Sequence, residues 1–238
     1  MIDTHCHLLP DTDDGPRELA GTLRLARALV SAGVHTVICT PHYSRRFPTD
    51  HARNRAQLGL VTEALVEADV PLLVKLAAEI GSAAAVEAPE EELWRRRIGE
   101  RFLLVELEPD TPAGIVQVVV ERAAEIGLSP VFAHPERCRA VRSQLHMLDQ
   151  ARSAGAPVQV VAQSLGGRWG EEIERASWQL LETGRVDLIA SDAHRDQHAG
   201  PRLRSILDRV EARYGTPALA ALIEEHPRQL LGIPPELR

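Results

Sequence analysis

The chain has 238 residues, of which 44% are hydrophobic and 26% are charged, a composition that excludes an intrinsically disordered or collagen-like protein. Its 27 Lys and Arg residues against 34 Asp and Glu residues give a formal charge of −7, which provides no reason to expect a nucleic-acid surface. No apolar stretch of about 20 residues could insert into a membrane, and the first residues lack the basic and long apolar regions of a signal peptide, so we expect a cytoplasmic protein.

Short aliphatic and β-branched runs alternate along the chain with segments whose apolar residues recur at helical spacing. The pattern predicts strands at residues 2–5, 36–40, 72–79, 102–106, 130–133, 158–162 and 186–190. It predicts helices at residues 18–31, 50–68, 89–97, 112–126, 144–153 and 171–182, then at 201–214 and 217–225, before a Pro-rich tail at 232–235.

The alternation of strand and helix indicates parallel pairing through right-handed crossovers. We therefore expect an α/β fold, a barrel-like single domain over residues 1–238, because the chain is close to the usual size of an α/β barrel, about 250 residues. An open doubly wound sheet is the alternative, since alternation alone does not separate the two. No Gly-rich GxGxxG or Walker loop follows the first strand, which disfavours nucleotide binding.

Most of the predicted strand ends carry His, Asp or Glu side chains. The candidates are His5 and His7 after the first strand, His42 after the second, Glu79 and Glu106 at the ends of the third and fourth, His134 after the fifth, and Asp192 and His194 after the seventh. Asp14 lies in the loop beyond the first pair, where Gly15 permits a tight turn. Because the C-terminal ends of parallel strands lie on one face, we expect these side chains to converge.

Together these imidazoles and carboxylates are more ligands than one metal ion needs. They suit two or three divalent ions about 3.5–4 Å apart, and nitrogen and oxygen donors without thiolate favour Mn, Fe or Zn over Ca. Glu108 lies on the same side of its strand as Glu106, and Glu106 is preferred because it is nearer the strand. The other histidines are expected to be structural or surface residues: His35, His51, His146, His198 and His226.

The three cysteines, Cys6, Cys39 and Cys138, have no paired spacing, so we expect reduced thiols rather than disulfides. Cys6 is expected to be a small buried spacer between His5 and His7, since alternate residues of a strand point to opposite sides. None of the thiols is expected to be the nucleophile of a cysteine phosphatase, which needs a thiolate in a phosphate-binding loop.

The motifs MIDTHCHLLPDTDDG, TPHY, AEI, HPER and SDAH, in this order, resemble those of the PHP (polymerase and histidinol phosphatase) superfamily. Within it they resemble the bacterial manganese-dependent protein-tyrosine phosphatases of capsular and exopolysaccharide operons. The resemblance runs from Met1 to about Gly215 and implies a distorted (β/α)7 barrel with a trinuclear metal centre. The chain departs from the family pattern at Gly81, Arg195 and Ala199, where the family commonly has Arg, Asn and Arg, and we consider Arg195 or Arg202 as substitutes.

The resemblance also implies a role for each candidate ligand. His5 and His7 would bind one ion, Asp14 and His42 would lie near another with Glu79 bridging, Glu106 and His134 would complete a further ion, and Asp192 and His194 would close the cluster. The cofactors would be two or three divalent ions, with Mn the first choice and Fe, Zn or Mg as alternatives.

The activity that follows is hydrolysis of a phosphate monoester by a metal-activated hydroxide. By resemblance, the substrate is phosphotyrosine in the tail of a bacterial tyrosine kinase that regulates polysaccharide synthesis. Arg137 is the candidate phosphate ligand, because its planar fork fits two phosphoryl oxygens; a salt bridge to Glu136 or a nearby acid is its alternative role. His42 and His194 are candidate proton donors. The alternative functions are a small-molecule PHP phosphatase such as histidinol phosphatase, a PHP-type nuclease, and a binding protein with a degenerate site.

Overall fold

Parallel strands form the frame of the structure, a computed structural model that describes residues 1–234. One sheet has the order β1-β2-β4 and contains β1 (Ile2–Cys6), β2 (Thr36–Cys39) and β4 (Leu73–Leu76). The other has the order β3-β5-β6-β7-β8-β9 and contains β3 (His42–Tyr43), β5 (Glu79–Gly81), β6 (Phe102–Glu106), β7 (Ser129–Ala133), β8 (Val158–Val161) and β9 (Leu188–Ala190). Neighbouring strands within both sheets run parallel, which confirms the α/β class.

Helices connect these strands. The α-helices are α1 (Leu19–Ser31), α2 (His51–Glu67), α3 (Ser82–Glu87), α4 (Glu90–Arg95), α5 (Ile115–Glu125), α6 (Arg139–Ser143), α7 (Met147–Ser153), α8 (Ala162–Leu165), α9 (Glu171–Glu182), α10 (Gly200–Tyr214), α11 (Thr216–Ala220) and α12 (His226–Leu230). Short 3-10 helices occur at Pro135–Arg137 and Asp196–His198, and a π-helix at Ala221–Glu225. Within residues 1–234, no helix combines the length and the apolar character needed to cross a bilayer.

Local sequence explains where helix α2 begins and which face helix α1 buries. The Asp50 side chain accepts a hydrogen bond from the Arg53 amide at 2.7 Å, which caps the start of α2. Helix α1 buries Leu25 and Leu29, one turn apart on the same face. Both side chains belong to the main hydrophobic core, which runs from Cys6 to Leu222 and includes residues of most strands and helices.

The single strand predicted at residues 72–79 is wrong, because the chain divides there into β4 and β5, which belong to different sheets. Ala77 still donates to the Cys39 carbonyl at 2.9 Å, but the Ala78 amide turns to the Arg96 carbonyl at 3.2 Å. The neighbouring strand breaks at the same level, where Pro41 has no amide hydrogen to donate and a further strand, β3, begins at His42. Glu79 therefore begins β5 rather than ending a longer strand.

Other differences lie at element ends and in short helices. The predicted helix at 112–126 begins at Ile115, and the one at 144–153 begins at Met147. The helix predicted at 217–225 is α11 followed by the π-helix. The sequence pattern gave no sign of α3, α6 or α8, which are each four to six residues long. Of the predicted tail at 232–235, residue 235 lies outside the described residues.

The first strand contacts the segment that follows the last strand. The Asp192 amide donates to the His5 carbonyl at 2.9 Å, and the His7 amide donates to the Ala193 carbonyl at 3.0 Å. Two residues before His5 in β1, the buried Asp3 carboxylate accepts a hydrogen bond from the Ser191 amide at 2.9 Å. These bonds bring both ends of the strand series to one place. Closure into a seven-stranded barrel stays a prediction.

Candidate metal centre

The C-terminal strand ends converge as expected, and all nine candidate ligands lie in four overlapping groups. Within each group, one donor atom from each residue lies within 4.8 Å of the others. The groups are His7, Asp14, His42 and His194; His5, Glu79 and His134; His5, His7 and Asp192; and His42, Glu79 and Glu106. Glu108 belongs to none of these groups, in keeping with the preference for Glu106.

Glu79 occupies the middle of the cluster and is almost fully buried. Its Oε2 lies 3.2 Å from His5 Nε2, 3.2 Å from His7 Nε2 and 3.0 Å from His42 Nδ1. Its Oε1 lies 2.7 Å from His134 Nε2. Glu79 therefore belongs to two of the four groups, and its contact with His7 reaches the other two, the arrangement that a bridging ligand requires.

Asp192 faces Glu79 across the two histidines of the first strand. Its Oδ1 lies 3.4 Å from His5 Nε2 and 3.5 Å from His7 Nε2, and these two ring nitrogens are 3.3 Å apart. Asp192 and His134 both have left-handed backbones, with φ of 50° and 33°. Non-glycine residues adopt this region rarely, and such strain is concentrated at functional sites.

The outer part of the cluster is open to solvent. Asp14, whose side chain is 45% exposed, lies 3.1 Å from His194 Nε2 and 3.4 Å from His42 Nε2. The His194 ring stacks on His7 with centroids 4.0 Å apart. Glu106 approaches His42 at 4.0 Å. The buried and exposed ligands therefore form one continuous set from the core to the surface.

The donor atoms fit divalent cations. Glu79 Oε2 is close to three imidazole nitrogens yet makes no hydrogen bond, and His134 Nδ1 is also buried without one. Leaving such groups unsatisfied is costly, whereas a cation would use their lone pairs. Imidazole and carboxylate donors without thiolate suit transition-metal ions such as Mn, Fe or Zn.

Burial and ion pairing act in opposite directions on the central groups. Burial alone would lower the pKa of His5, yet the carboxylates of Glu79 and Asp192 raise it. Burial would raise the pKa of Glu79, but His5 and His42 hold it well below its usual range. The carboxylates therefore favour the protonated form of His5, and a metal ion, which needs the neutral ring, would compete with that proton.

The pKa values of Glu106 and His134 shift in the directions opposite to those of Glu79 and His5. Burial, together with the negative charge of Glu79, raises the pKa of Glu106 to about 8. Burial, together with the Arg137 guanidinium, lowers the pKa of His134 to about 4 despite its contact with Glu79. At neutral pH, Glu106 therefore holds a proton while His134 is neutral and ready to act as a ligand.

Two supporting residues were not identified from the sequence. Asp13 Oδ2 bonds His7 Nδ1 at 2.7 Å and accepts from the His42 amide at 2.9 Å. Gln159 Oε1 bonds His5 Nδ1 at 2.8 Å. Such partners fix the ring orientation of a metal-ligating histidine. The available signals were the acid next to Asp14 and a glutamine inside an otherwise apolar strand.

Arg137 makes an ion pair, but not with the adjacent glutamate. Its Nη2 donates to Asp192 Oδ2 at 2.7 Å, and its guanidinium lies 4.7 Å from the centroid of the Trp169 ring. Glu136 is fully buried and accepts from the Val161 amide at 3.3 Å. Arg137 Nε is buried without a hydrogen bond, so the guanidinium keeps a free donor.

The cluster opens onto a cavity of about 700 Å³, lined by His42, Glu79, His134 and other candidate ligands. A larger cavity of about 830 Å³ lies at the opposite strand ends, beside Phe102 and Leu188, and none of the candidate ligands lines it. The smaller cavity is the functional candidate, since catalytic groups of parallel α/β folds lie at the C-terminal strand ends.

Two of the three departures from the family pattern, Gly81 and Arg195, line this cavity. Arg195 lines it, whereas Arg202 does not. A Cβ at Gly81 would stand 2.9 Å from Glu108 Oε1, and Glu108 is held through Oε2 by Ser82 at 2.6 Å. The space beside Gly81 is therefore occupied by a carboxylate. Ala199 is buried and does not line the cavity.

The remaining histidines and the cysteines lie outside the metal groups. His198 lines the cavity, but its Nδ1 accepts from the His194 amide at 3.2 Å, a structural contact. Cys39 and Arg45 do stand at the Cys-x5-Arg spacing of cysteine phosphatases. Cys39 is fully buried, however, and burial raises the pKa of its thiol, while the exposed Arg45 pairs with Glu87. No phosphate-binding thiolate forms there.

Comparisons with known proteins agree with this chemistry. The family model described as capsular polysaccharide synthesis, CpsB/CapC, matches residues 1–232. The tyrosine-protein phosphatase YwqE of Bacillus subtilis is 30% identical over 97% of this chain and 91% of its own length, and the tyrosine-protein phosphatase CpsB of Streptococcus pneumoniae is 24% identical over 97% and 98%. A chain from the crystal structures of YwqE and CpsB, described as unique metal-dependent tyrosine phosphatases, has a TM-score of 0.84 at 30% identity, covering 98% of this chain and 94% of that one.

Proposed function

This chain belongs to the capsular polysaccharide synthesis family CpsB/CapC, and on that premise we propose that it is a metal-dependent phosphatase that hydrolyses phosphotyrosine in proteins. The observation that carries the proposal is the convergence of nine imidazole and carboxylate side chains at one set of strand ends. A structural or binding protein would not need to bury so many ionisable groups together. The relatives named as tyrosine-protein phosphatases match over almost the whole chain.

We propose that all nine residues hold two or three divalent ions, with Mn as the physiological metal. Bound ions of this kind would lower the pKa of a water molecule and neutralise the charge on the phosphoryl oxygens. Glu79 would bridge, since its Oε2 faces three imidazoles at 3.0–3.2 Å. His5, His7 and Asp192 would form the most buried subsite, and Asp14 and His194 the most exposed.

Arg137 would bind and orient the phosphate. Its bond to Asp192 and its stacking on Trp169 hold the guanidinium at the cavity wall, where the side chain stays 16% exposed. A planar fork held in this way can donate two parallel hydrogen bonds to phosphoryl oxygens. The ion pair with Asp192 therefore positions Arg137 rather than replacing its role.

His42 and His194 would hold or transfer the proton that the leaving phenolate takes up. Both imidazoles are partly exposed, at 12% and 19%, and both contact Asp14. Burial would lower the pKa of His42, but Glu79 and the contact with Asp14 raise it. A phenolate leaves more readily than an alkoxide, so proton donation would contribute less to the rate than phosphate binding.

The finer features of the proposal concern architecture and partner. The hydrogen bonds between the first strand and residues 192–193 support a distorted (β/α)7 barrel, and the hydrophobic core shared within the described residues 1–234 supports our proposal of a single domain for the chain. The protein substrate would be a bacterial tyrosine kinase with a phosphorylated tail, and the effect would be on capsular or exopolysaccharide synthesis, as the family description suggests. A cytoplasmic location stays a prediction.

The test is an assay of metal-stripped protein to which Mn and then other ions are added back. The substrates are a phosphotyrosine peptide, histidinol phosphate and single-stranded DNA. We expect Mn to restore hydrolysis of the peptide, and His5→Ala to abolish it. His35→Ala is the matched control, since that imidazole contacts Glu224 away from the cavity. A preference for histidinol phosphate or DNA, or full activity without metal, would contradict the proposal.

A further inference from the structure

Two Arg–aromatic pairs line the cavity from different parts of the chain. Arg46 and Phe47 lie between β3 and α2, and Arg168 and Trp169 lie between α8 and α9. The Arg46 guanidinium is 5.1 Å from the Phe47 ring centroid, and the Arg168 guanidinium is 5.2 Å from the Trp169 ring centroid. Both segments therefore present a planar cation held against an aromatic face.

Each aromatic ring also contacts the candidate centre. Phe47 stacks on His42, with centroids 5.0 Å apart and an interplanar angle of 10°. Trp169 packs against the guanidinium of Arg137, and it is 47% exposed. Both aromatic rings thus lie between the proposed phosphate-binding groups and the outer surface, where the residues flanking a phosphotyrosine would have to lie.

The two outer arginines have no acidic partner. Arg45 pairs with Glu87, and Arg137 pairs with Asp192. Arg46 and Arg168, in contrast, have no carboxylate within 4.0 Å in the part of the chain that the structure describes. Both are exposed. They are therefore uncompensated positive charges on a chain whose net charge is −7.

The acidic groups that share the cavity are already engaged. Asp14 contacts His42 and His194, and Glu108 is bonded by Ser82 and by Thr111 at 3.0 Å. The hydroxyls on Glu108 carry no compensating charge, but Arg46, Arg168 and Arg195 line the same cavity and outnumber this carboxylate, so the balance at the mouth is positive. Charge complementarity favours an acidic partner there and disfavours a basic one.

We propose that Arg46–Phe47 and Arg168–Trp169 form a substrate rim that binds acidic side chains flanking the phosphotyrosine of a protein substrate. This inference rests on the proposed phosphatase function. Arginine forks match the geometry of carboxylates, and the aromatic faces hold the two guanidinium groups toward the mouth. The rim selects among phosphotyrosine sites by the charge of their neighbours.

The experiment compares two phosphotyrosine peptides that differ only in having Glu or Lys on both sides of the phosphotyrosine. The measured quantity is the ratio of kcat/KM for the Glu-flanked peptide to that for the Lys-flanked peptide, with the Mn-loaded protein at low salt. An exposed Arg–carboxylate pair changes affinity by up to a few-fold. Because each of the two arginines would attract Glu and repel Lys, these factors multiply, and we expect the ratio to exceed about tenfold. In the double variant Arg46→Gln/Arg168→Gln the ratio should fall at least about fivefold.

Arg175→Gln is the matched control, since Arg175 is exposed on α9 and does not line the cavity. The kcat/KM ratio of Arg175→Gln for the two peptides should equal that of the unaltered chain. A ratio near one in the unaltered chain, or an unchanged ratio in the double variant, would overturn the rim. Free phosphotyrosine, hydrolysed in parallel, tests the phosphatase function by itself. If it is not hydrolysed, binding of the unphosphorylated peptides, measured by fluorescence anisotropy, decides the rim by the same ratio.

Discussion

Replacing Asp13 with asparagine removes a buried carboxylate that contacts the metal cluster without belonging to it. Asp13 Oδ2 bonds His7 Nδ1 at 2.7 Å and accepts from the His42 amide at 2.9 Å, while Oδ1 accepts from the Gly15 amide at 3.0 Å. Burial would raise its pKa, but His7 lowers it, so the group is ionised. Asparagine keeps the shape but loses the charge and one acceptor oxygen.

The size of the effect follows from these contacts. A hydrogen bond to a charged group contributes about 1.5–3 kcal/mol, and loss of the partner of a metal-ligating histidine costs about 10–100-fold in metal affinity. The two figures agree, because tenfold corresponds to about 1.4 kcal/mol. We expect Asp13→Asn to weaken Mn binding at least about tenfold, and to lower the free energy of unfolding of the metal-free protein by about 1.5 kcal/mol or more.

Calorimetric titration of metal-stripped protein with Mn, and urea unfolding without metal, measure the two effects. Asp11→Asn is the control from the same loop, since Asp11 is exposed and pairs with the exposed Arg53; it should change stability by less than about 0.5 kcal/mol. If Asp13→Asn bound Mn with an affinity within about twofold of that of the unaltered chain, the argument that Asp13 fixes the orientation of the His7 ring would be wrong.

Three further predictions concern pH, the phosphate site and the packing of the last helix. The pKa of Glu106 is raised to about 8 and that of His7 well above its usual value, so both groups bind more protons in the folded than in the unfolded state. The metal-free protein should therefore lose stability as the pH rises from about 6.5 to 8, while its affinity for Mn increases. Urea unfolding and Mn titration across that range measure the two trends, and two flat profiles would contradict the prediction. Arg137→Lys should lower kcat/KM for a phosphotyrosine peptide by about tenfold or more, because a lysine cannot donate two parallel hydrogen bonds; retained activity in a steady-state assay would mean that Arg137 serves only as the partner of Asp192. Gly99→Ala would place a Cβ 2.2 Å from the Leu230 carbonyl oxygen, at a φ of +57°. Gly184 has a similar φ of +66°, but a Cβ there would meet no described atom within 4 Å, so Gly99→Ala should destabilise the protein by about 2 kcal/mol more than Gly184→Ala. Equal urea midpoints for the two variants would rule out the clash.

The sequence allowed the cluster to be predicted because the relevant signals are local. His5 and His7 stand two residues apart at the end of a short strand, and each of the other ligands except Asp14 lies close to an apolar run. Since parallel strands end on one face, convergence follows without knowledge of the loops. For this reason the nine candidate ligands lie together, although the strand at residues 72–79 is divided.

What could not be predicted depends on contacts between distant segments. The break at Ala77 and Ala78 is set by which neighbour each amide finds, Cys39 or Arg96. Asp13 and Asp14 are adjacent acids, and only the fold decides which one bonds His7. Helix α8 also depends on a distant contact, because Gln163 is buried there and donates to the Asp192 carbonyl at 2.9 Å. Hydrophobic periodicity carries no information about such partners.

The bonds between the first strand and the segment after the last one have a consequence for biosynthesis. Asp3 and Ser191 are 188 positions apart, so the amino-terminal strand leaves the ribosome long before its partner is translated. The seam can close only late, and a chain dominated by such distant pairings folds slowly. Ions bound by His5 on one side and Asp192 on the other would hold these two segments together, so chelators should weaken the contact between β1 and residues 191–193 before the rest of the fold.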